Sequence, residues 1–286
     1  MIAGSFTTSC YDGSRAWRRV SQCSRLPIDS LCSPLEISVA EIFFPSPTLS
    51  VTLAPLGGEV RRVLDRLHRQ DLRSVQLSAS QPGLRPRELD RSARRDLIAT
   101  LSRREMSISG IDLWVPVSHF RDPSKVDRAV QVAIETIDLA ADLGRCPVSL
   151  VLPMAGEEGG SDGIEVHETM ISHAHHRGVP LADHGGHEVP DGVGIGIDPA
   201  TWLARREDPA AAVARAGRRL ASVRLCDLLI SGMRGPIGDA EEGQLDVLAY
   251  RASVAVSGYA RPVVVDARQW ANPWEGLEQT VRAWTG

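Results

Sequence analysis

From residue 49 onward the apolar positions alternate between two rhythms: short β-branched or aliphatic runs, and longer stretches whose apolar side chains recur at helical spacing. The run at 49–54 precedes a helical pattern over 58–70 in which Val60, Val63, Leu64 and Leu67 share one face and arginines occupy the other. Residues 74–78 lead to a helix over 87–105, with Leu89, Ala93, Leu97 and Leu101 in register. A third strand at 108–115 leads to a helix over 124–143, which opens after Pro123 and stops at Gly144. A fourth strand, 147–152, is followed by a glycine-rich acidic loop (155–163), a helix at 164–177 and a fifth strand at 179–183. No full helix separates this from the sixth strand, 192–198. The pattern closes with helix 209–220, strand 222–228, helix 245–257, strand 261–267 and helix 275–284.

Eight strands with helices between them, in a chain of 286 residues, predict an α/β protein of the (β/α)8 (TIM) barrel type, whose usual size is about 250 residues. The barrel domain is expected over 48–286. Residues 1–47, rich in Ser, Cys and Pro without sustained periodicity, read as a disordered or irregular N-terminal extension. The rival open sheet would carry a glycine-rich phosphate turn after its first strand, and Ala54-Pro-Leu-Gly-Gly58 lacks the G-x-G-x-x-G spacing.

Composition narrows the chemistry. Lys125 is the one lysine among 32 basic residues, which leaves no P-loop and makes a Schiff-base enzyme a poor fit. The net charge is −4 and the arginines are dispersed among acids, so nucleic acid is not an expected partner. Five cysteines, three of them at Cys10, Cys23 and Cys32, set no disulfide framework. The chain lacks a basic leader with an apolar core, and no run nears the roughly 18–20 apolar residues of a membrane span. The expectation is a cytoplasmic protein without membrane contact.

In a barrel, chemistry gathers at the C-terminal ends of the strands, and acids fall there. Asp183 ends the fifth strand, Asp198 the sixth and Asp266 the eighth, while Asp227 lies near the end of the seventh, three residues after Arg224. A ring of carboxylates suits a hard divalent cation. An aspartate at a strand exit equally serves as a helix cap or an Asx turn.

The chain resembles the xylose isomerase-like TIM barrels, the sugar phosphate isomerase/epimerase family. The resemblance runs over nearly everything after residue 48. It is carried by 49–56 (LSVTLAPL), Gly194-Ile-Gly-Ile-Asp198-Pro-Ala, Val223-Arg-Leu-Cys-Asp227, the glycine-punctuated stretch 236–246 ending in Asp246, and Gly258-Tyr259 ahead of Pro262-Val-Val-Val-Asp266. It implies a carbohydrate-metabolism enzyme in which two glutamates, an aspartate and a histidine hold one divalent metal (Mn, Mg, Co or Zn). The glutamates also move protons beside the substrate carbonyl. Carried over, Asp198 and Asp227 are retained, the glutamates fall at Asp183 and Asp266, and the histidine falls at Arg224. Each Glu-to-Asp change shortens a carboxylate by one methylene, and a guanidinium has no lone pair for a cation.

Two substitutes for the imidazole stay open. Six of the eight histidines lie between His167 and His187, so His184 or His187 could act as a loop ligand. Alternatively Arg224 stands where the metal stood, its fork bridging Asp183, Asp198 or Asp266. Among Trp114, Trp202, Trp270 and Trp274, Trp202 is placed with Arg224, Asp227 and Arg268 as substrate-binding, stacking on a sugar face while Arg268 meets a phosphate or carboxylate. Two functions follow. One is a sugar or sugar-phosphate isomerase/epimerase with Asp183 and Asp266 as acid and base and Asp198 as principal metal ligand. The other is a non-catalytic binding or scaffold barrel in which Arg224 replaces the metal. An endonuclease of the same fold would need more inward histidines and a basic groove. The oligomeric state is not assigned.

Overall fold

A computed structural model of the chain describes residues 46–153 and 162–286. The expected extension over 1–47 and the acidic loop at 155–163 lie almost wholly outside these residues. Among the described residues the strands are β1 (Leu49–Thr52), β2 (Ser74–Ser78), β3 (Ser107–Asp112), β4 (Val148–Leu150), β5 (Leu181–Asp183), β6 (Gly194–Ile197), β7 (Leu220–Leu225), β8 (Asp227–Leu228), β9 (Arg234–Gly235) and β10 (Val263–Val265). All except β8 and β9 close into one barrel in the order β1-β10-β7-β6-β5-β4-β3-β2. The pairs around it are parallel, and β1 meets β10 with Val51 opposite Val265. The expected (β/α)8 architecture is thus what the chain adopts.

The helices are α1 (Val60–Arg69), α2 (Arg91–Ser102), α3 (Val126–Asp142), α4 (Asp162–Arg177), α5 (Pro199–Ala204), α6 (Pro209–Ala216), α7 (Val247–Val256) and α8 (Pro273–Thr285). Side-chain caps fix several starts, because the first N–H groups of a helix lack intrahelical partners. Asp90 accepts from the Ala93 N–H at 2.8 Å, Asp208 from Ala210 at 2.8 Å and Asp246 from Ala249 at 2.9 Å. Each helix lays an apolar stripe on the outside of the barrel. Leu64 and Leu67 of α1, Ile137 of α3, Val213 of α6, Val254 of α7 and Trp284 of α8 are fully buried there, against Leu77, Ile111 and Ile197 of the strands.

Inside the barrel the layers are polar instead of branched aliphatic, the usual filling. Ser50 and Ser109 share a hydrogen bond of 2.7 Å, Thr52 donates to Gln76 at 2.9 Å, the Gln76 amide donates to Ser149 at 3.4 Å, and Ser149 donates to Ser222 at 3.3 Å. Buried hydroxyls and amides persist when each finds a partner, and this chain of contacts crosses from β1 to β7.

Three elements differ from the periodicity. The seventh strand leaves the barrel at Leu225, and Asp227–Leu228 pairs antiparallel with Arg234–Gly235 as a separate ribbon. A short helix, α5, starts at Pro199, where proline at the first turn sacrifices no hydrogen bond. The helical stretch expected over 209–220 ends at Ala216 and tightens into a 3-10 turn. The absence of a helix between β5 and β6 is as the sequence indicates. Among the described residues no helix is long and apolar enough to cross a membrane.

Candidate functional site

Strand alternation delivers four charged side chains to the C-terminal mouth of the barrel. Asp112 ends β3, Asp198 follows β6, Arg224 lies in β7 and Asp266 follows β10, and all four are buried. Arg234 reaches over them from β9, and Arg268 from two residues beyond Asp266. The Arg224 fork spans the mouth, Nη2 lying 2.5 Å from Asp112 and Nη1 3.2 Å from Asp198, with Nε 3.6 Å from Asp266. Arg234 binds Asp198 through Nη1 at 3.0 Å and Asp266 through Nη2 at 2.9 Å. Arg268 clasps Asp266 from Nε at 2.8 Å and places Nη1 3.5 Å from Asp112. Three guanidinium groups and three carboxylates thereby interlock, and their charges cancel.

This interlocking sets the protonation states. Burial alone would raise the Asp198 pKa, but Arg234 and Arg224 outweigh it and hold the carboxyl at about 2. Burial likewise works against ionised Asp266, and Arg268, Arg224 and Arg234 together hold it well below the usual carboxylate range. Cys226 sits among the same groups, its Sγ 3.0 Å from Arg234 Nη2, and burial pushes its thiol far up.

His184 enters the barrel beside the lattice, with Nε2 3.3 Å from the Ser149 hydroxyl. Burial, and after it the Arg224 charge, hold its pKa well below the ordinary value, so the ring is neutral at pH 7. Its position explains a glycine: a Cβ on Gly196 would stand 2.5 Å from the His184 ring. The motif Gly194-Ile-Gly196-Ile is therefore partly a recess for an imidazole.

The other sequence candidates lie elsewhere. Asp183 faces the outer side of β5, where Oδ1 accepts the N–H groups of Leu152 and Gly185 at 3.0 Å each and Oδ2 lies 3.1 Å from His187 Nε2. Its contacts are thus away from Asp198 and Asp266. Hydrogen bonding to Asp183 raises the His187 pKa. Asp227 anchors the following loop, accepting from Leu228 at 2.8 Å and from Gln244 and Leu245 at 2.9 Å, and burial raises its pKa. Trp202, on α5, has the Arg215 guanidinium 5.5 Å from its ring. Trp270 is buried, and Trp274 stacks under Arg66 at 3.8 Å. Trp114, 63% exposed, lines a mouth cavity of about 300 Å³ with Arg234, Arg268 and Gln269.

A divalent cation fits this mouth poorly. Arg224, at the centre of the mouth, is a cation without a lone pair, and Asp112, Asp198 and Asp266 are already engaged by guanidinium groups. Among the described residues no three His, Cys, Asp or Glu side chains are grouped so as to hold a metal ion.

Sequence reasoning missed Asp112 and Arg234. The first ends β3, whereas the apolar pattern carries that strand on to 115, which sets Asp112 mid-strand and hides it from the strand-exit rule. The second sits on a ribbon whose fold depends on distant pairing, and only its arginine-glycine context marks it.

No protein-family model matches the chain, and no curated protein matches it in sequence. Solved structures do. A xylose isomerase domain protein from Planctomyces limnophilus superposes with a TM-score of 0.61 at 18% identity, over 83% of this chain and 93% of that one. A D-psicose 3-epimerase with D-tagatose from Clostridium cellulolyticum H10 gives 0.62 at 11% identity, over 83% and 96%. An L-ribulose 3-epimerase gives 0.59 at 16%, over 84% and 88%. The chain has the fold of the xylose isomerase-like barrels and sugar 3-epimerases.

Proposed function

We propose that this chain is a barrel of the sugar isomerase and epimerase kind that works without a metal, binding a small polyhydroxylated ligand at its mouth. The observation that carries this reading is the Arg224 fork, which bridges Asp112 and Asp198 and approaches Asp266. It occupies the centre that a cation would need and neutralises the carboxylates that would hold it. The mouth then offers guanidinium edges as donors to hydroxyl groups and the Trp114 ring to the apolar face of a sugar. Because the lattice is neutral, it favours an uncharged sugar over a sugar phosphate.

The enzymatic reading, a sugar isomerase or epimerase with Asp183 and Asp266 as acid and base, draws support from the epimerases that share the fold. It asks for a carboxylate that readily takes a proton. Asp266, ionised against three arginines, is a weak base, since an effective one has its pKa near the working pH.

The test has two parts. The purified protein is incubated with Mn, Mg, Co or Zn, dialysed and assayed for bound metal; stoichiometric metal defeats the metal-free reading. It is then titrated calorimetrically with D-tagatose and L-ribulose, and the recovered sugars are examined by NMR. Saturable binding that weakens about tenfold in Trp114→Ala, with sugars returned unchanged, supports a binding barrel. Conversion to the 3-epimer establishes the enzymatic one.

A further inference from the structure

The (β/α)8 plan places a helix after every strand, yet residues 184–193, between β5 and β6, contain none. The outer wall is open there. A cavity of about 1150 Å³ lies between α4 and the connection from β5 to β6, lined in part by His187, the partner of Asp183. This is somewhat larger than the roughly 300–1,000 Å³ usual for small-molecule sites.

Its lining combines two kinds of surface. Ile171, Val179, Val189 and Pro190 supply apolar walls. Glu168, Glu188 and Asp191 stand exposed around the opening, and none of the three joins an ion pair among the described residues. The one arginine of the lining, Arg219, turns its Nη2 onto the carbonyl oxygens of Val189, Pro190 and Val193, at 2.9, 3.1 and 3.2 Å. Carboxylates therefore outnumber the cationic groups of the lining, of which Arg219 is occupied with the backbone and His187, its pKa raised, with Asp183.

A buried polar atom adds an independent sign. His167 is 6% exposed, and its Nε2 has no hydrogen-bond partner. Burial lowers its pKa, keeping the ring neutral, and the Pro153 carbonyl is its backbone partner. With its proton given to that carbonyl, the ring keeps an acceptor lone pair at Nε2 that is unfavourable while unmet. On the other side, His187 is tied to Asp183.

We propose that this cavity is a second ligand site, distinct from the mouth, for a small amphiphilic organic cation. An apolar chain or ring lies against Ile171, Val179 and Val189, an ammonium group meets Glu168, Glu188 and Asp191, and an N–H of the ligand satisfies His167 Nε2. Neither the walls nor the acids would select this class alone; their combination does, as attraction of the cation adds to burial of the apolar body.

The probes are 4-phenylbutylamine, 4-phenylbutanoate and 4-phenylbutan-1-ol, titrated into the full chain and followed by calorimetry. The expected result is saturable, single-site binding of the amine, with the carboxylate at least about tenfold weaker. The triple variant Glu168→Gln, Glu188→Gln, Asp191→Asn brings the amine down to the alcohol. Ile171→Trp fills the cavity and abolishes binding; Ser172→Trp, at a more exposed lining position, does so with less demand on folding. Equal binding of carboxylate and amine, lack of saturation, or binding that persists in both blocked variants overturns the proposal.

Discussion

The barrel mouth and the opened outer wall are opposites. At the mouth, where the fold usually keeps its chemistry, Asp112, Asp198 and Asp266 each have a guanidinium partner, and a cavity of about 300 Å³ lies beside them. At the wall an element of the fold is missing, a cavity of about 1150 Å³ remains, and a buried imidazole nitrogen goes unmet. The contrast teaches that in this molecule the charges at the strand ends satisfy one another, while a larger open volume lies where no helix covers the wall.

The largest expected effect breaks the paired side. Arg224→Ala leaves Asp112 with only the Arg268 contact at 3.5 Å and Asp198 with only Arg234, so one buried negative charge is in excess, and the change costs about 3–5 kcal/mol in urea unfolding. A loss under about 1 kcal/mol would mean that the mouth is wet and loosely paired. Acid dissects the same lattice. Asp198 has a folded pKa of about 2, below the roughly 3.9 of an unfolded aspartate, and Asp266 is depressed further. Their contribution is present above about pH 4 and is lost as pH falls through about 2. Stability measured against pH should therefore drop steeply across that window, and a flat profile there contradicts the pairing.

Gly196→Ala is expected to cost about 1–3 kcal/mol, because the new methyl group meets the His184 ring. Chemical denaturation reads it directly, and His184→Ala in the same chain should recover part of the loss. On the outer wall, Asp183→Asn removes the partner that raises the His187 pKa. His187 contributes stability that is present below about 6.5 and fades as pH rises through its higher folded value. NMR titration should show its midpoint falling in the variant, while resonances near Arg224 stay in place. The smallest effect belongs to the exposed pair of Arg61 and Asp96, 3.1 Å apart, where Arg61→Ala changes stability by less than about 1 kcal/mol.

Much of this molecule is legible in its sequence, and the illegible parts have a common cause. Period-two and helical-period patterns are enough to count the strands, since several helices cap themselves locally through residues such as Asp90 and Asp246. Strand-exit logic finds Asp198 and Asp266, the family resemblance singles out Arg224, and Arg268 lies two residues past Asp266; all four meet at the mouth. It places Asp183 with them too, and there parity fails: Leu181, Ala182 and Asp183 are buried on both faces, so alternation of polar and apolar positions says nothing about which side chain points inward. The inward residue is its neighbour His184. Asp227 marks the end of the barrel strand but serves a loop. Arg234 depends on β8 pairing with β9, a contact that propensity does not encode.

The interlocked mouth also bears on how such a barrel changes over generations. Three positive and three negative groups balance only as a set, so any one substitution strands a charge in the interior, and neighbouring substitutions do not add independently. A change at Arg224, Arg234 or Arg268 is therefore least costly when an acid of the set changes with it.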